Sequence, residues 1–200
     1  MFLMIYKIFY YLVLNLIFYV KIFIYFMFIL WLAIICSLVN AKSLGQSTGY
    51  ELPRYVSLQS NKSNLRVGAN KDYPKILTYV VKNFPIEITN EYKQWREVKD
   101  IDGNQGWMHE SLFQGDRYGI IKTNHSEPSQ IFDKPEGTII WKIGNRNIVK
   151  INKCLKSWCH INFDGARGWI NKVNIWGAYK EEEFNIPFFQ SIINLYWKLI

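Results

Sequence analysis

Between residues 95 and 169 one pattern occurs twice. Trp95-x-x-Val98 is followed by Asp102-Gly103 and Gly106-Trp107; Trp158-x-x-Ile161 is followed by Asp164-Gly165 and Gly168-Trp169. An Asp-Gly pair between two short apolar runs marks a tight hairpin, because Gly supplies the positive φ such a turn needs. The copies lie about 62 residues apart, so the chain reads as a duplicated all-β unit. The stretches 147–151 and 85–89 match as the strand preceding each hairpin.

The rest of 53–179 agrees. Short β-type runs at 54–58, 76–81, 85–89, 95–101 and 106–109 are separated by Asn, Gly, Lys and Pro clusters, and helical periodicity is missing throughout. The expected fold is all-β, with two small barrels at 53–115 and 116–179. Each is small enough to be marginal alone, so a shared contact should help both. Alternation within the strands predicts where the indoles go. Trp95 and Val98 differ in parity, as do Trp158 and Ile161. If Val98 and Ile161 fill the cores, Trp95 and Trp158 are pushed to the surface, where a rigid aromatic suits peptide or glycan recognition.

Composition bounds what lies outside the barrels. Residues 1–41 carry only Lys7 and Lys21 as charges, and 22–39 is an uncharged run of 18 residues, near the minimum that crosses a bilayer. Val39-Asn40-Ala41 puts small residues at the spacing a signal peptidase accepts. Two readings follow, a signal peptide cleaved after Ala41 and an uncleaved membrane anchor formed by an N-terminal hydrophobic helix. Either places the remainder outside the cytoplasm. That remainder holds 22 basic and 16 acidic side chains with no Lys/Arg run, so dedicated nucleic-acid binding is not indicated. Residues 42–52 read as an exposed polar linker, and Glu181–Glu183 as a solvated boundary. In 180–200 the spacing of Phe189, Ile192, Ile193, Tyr196 and Leu199 predicts a short amphipathic C-terminal helix. It would cover the second barrel, lie in a membrane interface, or be an extension without a role.

Cys154 and Cys159, five apart, would face each other across a hairpin end and form a disulfide. Unpaired thiols are the alternative. Zinc would need two more ligands, and His109, His125 and His160 lie on separate segments. The same dispersal leaves no catalytic constellation, metal site or cofactor site, and a separate catalytic domain has no room in 200 residues.

Asn64-Leu65-Arg66-Val67-Gly68, then Tyr73-Pro74, Trp95-x-x-Val98 and Gly106-Trp107 stand in an order that resembles the bacterial SH3-like (SH3b) domain. The second copy lacks the Asn-x-Arg motif, and residues 131–135 take its place. The tandem arrangement with a cysteine pair is similar to exported alphaproteobacterial (rickettsia-like) members. The resemblance implies a groove between loops, lined by aromatics, that binds extended peptides or peptidoglycan stem peptides in the periplasm or cell envelope. The residues it points to are Tyr73, Trp95 and Trp107 with Arg66 as a carboxylate partner in the first domain, and Trp158 and Trp169 in the second. A protein partner in the envelope is equally compatible. The competing reading is an interaction scaffold whose aromatic faces are buried between the repeats or in a dimer; burial of both Trp95 and Trp158 between the repeats would favour it.

Overall fold

The computed structural model describes residues 15–31, 43–123 and 127–187 and positions 193 and 197. It divides into two units, Met1–Lys42 and Ser43–Ile200. In the first unit residues 15–31 are helical. Among the described residues no helix is long and apolar enough to cross a membrane, so the anchor reading finds no support. The cleavage point after Ala41 lies outside the described residues. Ile193 and Trp197 are helical, and the other positions of the expected C-terminal helix lie outside the described residues as well.

The second unit contains two seven-stranded sheets with the same strand order. The first is built from β3 (Arg54–Leu58), β4 (Ser63–Arg66), β5 (Lys75–Tyr79), β6 (Pro85–Tyr92), β7 (Trp95–Lys99), β8 (Gln105–His109) and β9 (Phe113–Gln114), ordered β5-β4-β8-β7-β6-β3-β9. The second uses β10 (Tyr118–Ile121), β11 (Ser129–Phe132), β12 (Ile139–Ile143), β13 (Ile148–Cys154), β14 (Trp158–Phe163), β15 (Ala166–Asn171) and β16 (Ile175–Trp176), ordered β12-β11-β15-β14-β13-β10-β16. Strand for strand the halves match, which is the tandem SH3-like architecture expected. Each sheet has more strands than the sequence displays. β4 leaves no alternating pattern in the sequence, because Leu65 is its one strongly apolar residue.

Alternation decides what each strand buries. Ile86, Ile88, Val98, Met108 and Leu65 fill the first core, and Val149, Ile151, Ile161, Ile170 and Ile131 fill the second. Gly103 and Gly165 take φ of 86° and 89° in the two Asp-Gly turns. Buried Asp100 closes the first turn by accepting from the Asp102 and Asn104 N–H groups at 2.9 and 2.8 Å.

The tips of the two β-hairpins that precede these turns are held differently. At one, Glu91 and Arg96 are cross-strand partners; at the other, Cys154 and Cys159 are, and they form a disulfide with Cα atoms 4.1 Å apart. Closing so short a loop is worth about 2 kcal/mol in the chain-entropy model. The double substitution Cys154→Ala, Cys159→Ala is expected to lower stability by that order in urea denaturation. An unshifted midpoint would count against the bond.

Residues 43–52, expected as an exposed linker, instead form a hairpin of β1 (Ser43–Leu44) and β2 (Glu51–Leu52). The reason is Glu91. Its buried carboxylate accepts from the Ser47 and Thr48 N–H groups at 3.0 Å each, from Thr48 Oγ1 at 2.7 Å and from Arg54 Nη2 at 2.6 Å. Gly45 is needed there, because a Cβ would collide with that carboxylate.

A second correction concerns Glu182, read as solvated. It binds Arg117 through both oxygens, at 2.7 and 3.0 Å, and accepts from the Tyr179 N–H at 3.1 Å. Burial alone would raise its pKa; the Arg117 guanidinium outweighs that and holds it below the ordinary carboxylate value.

The two sheets meet through side chains the sequence did not single out. Tyr55 stacks on Tyr179 at 4.6 Å and meets Trp176 edge-to-face at 5.0 Å. Tyr179 Oη donates to Glu87 at 2.8 Å, Ser57 Oγ accepts from the Tyr118 N–H at 3.1 Å, and Arg146 pairs with Asp102 at 2.7 Å. The last pair is half exposed and contributes little.

Candidate ligand-binding faces

Register places the candidate residues on the outer faces of the sheets. In the first domain Trp95 lies opposite His109, Glu97 opposite Trp107, and Trp107 opposite Arg66. Arg96 and Val98 point the other way and are buried, so Trp95, Glu97, Trp107 and His109 share the outer face. This is the outcome the parity argument required. Trp95 is half-buried and meets the His109 ring edge-to-face at 5.4 Å and 87°. His109 also caps the 3-10 turn Glu110–Leu112, with Nδ1 accepting from the Ser111 N–H at 3.3 Å. The ring that braces Trp95 is therefore itself fixed.

Arg66 has a structural duty too. Its Nη1 donates to the Tyr73 carbonyl at 2.7 Å, closing the loop between β4 and β5. Tyr73 is half exposed, and a Cβ on Gly68 would lie 2.7 Å from its ring, so Gly68 lets the ring fold back over the loop. Arg66, Tyr73 and Trp107 are thus neighbours, with Trp95 one rung further along.

The second domain keeps the scaffold and changes the chemistry. Trp158 lies opposite Asn171, His160 opposite Trp169, and Trp169 opposite Phe132. Phe132 stands where the first domain has Arg66, and Asn171 where it has His109. Trp158 is half-buried and meets Phe132 edge-to-face at 5.2 Å and 82°. Trp169 differs from the expectation. Only 4% of it is exposed. Trp197 lies edge-on against it at 5.5 Å, His160 flanks it at 5.3 Å, and Lys153 Nζ sits 5.0 Å from the ring centre. Burial, then the nearby charges of Lys153 and Arg167, lowers the His160 pKa and keeps the ring neutral.

A cleft of about 790 Å³ opens on this second domain beside Phe132 and Trp158. Neither Trp95 nor Trp158 belongs to the contact between the domains, which uses Tyr55, Trp176 and Tyr179. Among the described residues no group of three or more His, Cys, Asp and Glu could hold a metal ion.

The chain belongs to the bacterial SH3 domain family, which it matches twice, at residues 59–115 and 131–177. No curated protein matches it. Among solved structures it is similar to NlpC1 from Trichomonas vaginalis, at 17% identity over 71% of this chain and 52% of that one, with a TM-score of 0.30. NlpC2 from the same organism is 15% identical over 68% of this chain and 52% of its own, TM-score 0.30. An NlpC/P60 family protein from Bacillus cereus ATCC 10987 is 8% identical over 70% of this chain and 61% of its own, TM-score 0.28. The chain therefore spans little more than half the length of these neighbours. Nothing in these likenesses supports the alphaproteobacterial affinity expected from the sequence.

Proposed function

We propose that this protein is a non-catalytic binding module of the cell envelope, and that its first SH3-like domain receives an extended peptide along Arg66, Tyr73, Trp107 and Trp95. The observation that carries this reading is the half-exposed Trp95, braced by His109 on a face the domain contact leaves uncovered. Rigid aromatics with one face open provide contact area at small entropic cost. The Arg66 guanidinium lies beside them and still has donors beyond the one that holds the Tyr73 carbonyl, so a ligand carboxylate has a partner there. Peptidoglycan stem peptides carry both an extended backbone and carboxylates. Burial of Trp95 and Trp158 between the repeats would have favoured the scaffold reading, and neither ring takes part in that contact, which uses Tyr55, Trp176 and Tyr179.

Incubation of the purified chain with isolated sacculi tests this. Depletion of the chain from the supernatant is expected, and Arg66→Ala should weaken binding of a carboxylate-bearing stem peptide roughly tenfold, the worth of one charge-assisted hydrogen bond. Equal recovery with and without sacculi, together with unchanged peptide affinity in Arg66→Ala and Trp95→Leu, would overturn it.

A further inference from the structure

The cleft on the second domain has a chemistry of its own. Phe132 and Trp158 form its aromatic wall, and its other lining residues include Asn171, Asn174, Gln130 and Glu127 beside the apolar Pro128 and Val173. Asn171 Oδ1 accepts from the Val173 N–H at 3.1 Å, which leaves its amide nitrogen as a donor. Asn174 is tied to the fold through its backbone, whose carbonyl accepts from the Lys122 N–H at 2.9 Å; its side-chain amide has no such duty. Ser129, also in the lining, has a buried hydroxyl with no partner. Its counterpart in the first domain, Ser63, is also buried without a partner, so this orphan belongs to the shared scaffold.

Charge narrows the ligand. Among the described residues the lining includes no Lys or Arg, and its one ionised group is Glu127. An anion would meet a like charge with nothing to offset it, so phosphates and carboxylates are poor occupants. The first domain differs at the matching positions, with Arg66 and His109 where the second has Phe132 and Asn171. The second copy keeps the tryptophan and has a phenyl ring and an amide where the first has a guanidinium and an imidazole. An aromatic wall bordered by amides suits a ligand with one apolar face and a rim of hydroxyl or acetamido groups. A pyranose ring has that shape. The volume lies within the range of about 300–1,000 Å³ usual for small-ligand sites and has room for a short oligosaccharide.

We infer that this cleft binds an uncharged pyranose oligosaccharide, stacked on Trp158 and hydrogen-bonded by Asn171, Asn174 and Gln130. The inference does not rest on peptide binding by the first domain, because it uses other residues and the opposite charge logic. The test is titration of the full chain with the N-acetylglucosamine trimer and with cellotriose, followed by tryptophan fluorescence and calorimetry. Saturable binding of at least one sugar is expected, and preference for the first would show that the acetamido group is read. Trp158→Phe should weaken binding roughly tenfold and Asn174→Ala roughly fivefold. Asn174→Ala removes a side chain the fold does not use, so it reports on the cleft even if Trp158→Phe perturbs folding. Arg66→Ala should leave sugar binding unchanged, which separates a failure here from a failure of the peptide reading. Lack of saturation with either sugar, or saturation indifferent to Asn174→Ala, would overturn the inference. So would a stem peptide that binds where the sugars do not and is lost in Asn174→Ala.

Discussion

Replacing Glu91 with alanine is expected to destabilise the first domain by roughly 3–5 kcal/mol, the usual consequence of removing one partner from a buried ion pair. The carboxylate is fully buried, with Arg54 at 2.6 Å and Arg96 at 3.6 Å. Its loss would leave the Arg54 guanidinium without its ion-pair partner, Arg96 keeping Glu110, and would free the Ser47 and Thr48 N–H groups. The same contacts predict a pH dependence. Burial by itself would raise the Glu91 pKa, but hydrogen bonds from Thr48, Arg54 and Ser47 outweigh it and hold the group at about 2, against an ordinary 4.5. A depressed carboxylate stabilises fully above its unfolded pKa and loses that contribution as pH falls through the folded value. The chain should therefore lose about 3 kcal/mol between about pH 5 and pH 2, at 1.36 kcal/mol per unit. Urea midpoints of the native chain and of Glu91→Gln at pH 7 and pH 3 make the check. Parallel slopes in the two proteins would contradict the assignment.

Tyr55→Ala is expected to cost about 3–5 kcal/mol, as for other buried aromatics cut to alanine, and to split one unfolding transition into two. The ring is 9% exposed and lies between Trp176 and Tyr179, with the Arg117 guanidinium 5.9 Å from its centre. Burial, followed by the charge of Glu87, raises the Tyr55 hydroxyl pKa, so the group stays neutral. Tyr55→Phe keeps the packing and should cost less than about 1 kcal/mol. Calorimetry distinguishes the outcomes: a single, unshifted transition in Tyr55→Ala would mean that the domains fold together through other contacts.

Local chemistry was what the sequence made legible. The Asp-Gly turns and the parity of Trp95 against Val98 depend on neighbours a few residues away, and both the hairpins and the outward placement of Trp95 and Trp158 could be anticipated. The hairpin at 43–52 could not, because it depends on a carboxylate more than forty residues downstream, and backbone N–H groups gripping it leave no periodic trace. Nor could the domain contact. An aromatic such as Tyr55 reads the same in a strand whether it faces a core, a neighbouring domain or water. Trp107 and Trp169 make the point for the site itself: they occupy one position of a duplicated hairpin, yet Trp197 covers only the second. The cleft was invisible for a related reason. Its walls draw on β11, β14, the end of β15 and the 3-10 turn Lys172–Asn174, and only Trp158 among its lining carried a signal of its own.

The two domains end one hairpin each with the same geometry and unlike bonds, an ionised pair in one and a covalent bridge in the other. Protons dissolve the first and leave the second untouched; a thiol reductant does the reverse. Each hairpin end thus tolerates an insult that undoes its twin, and surroundings that turn either sour or reducing, though not both, should leave one of the two ends still tied.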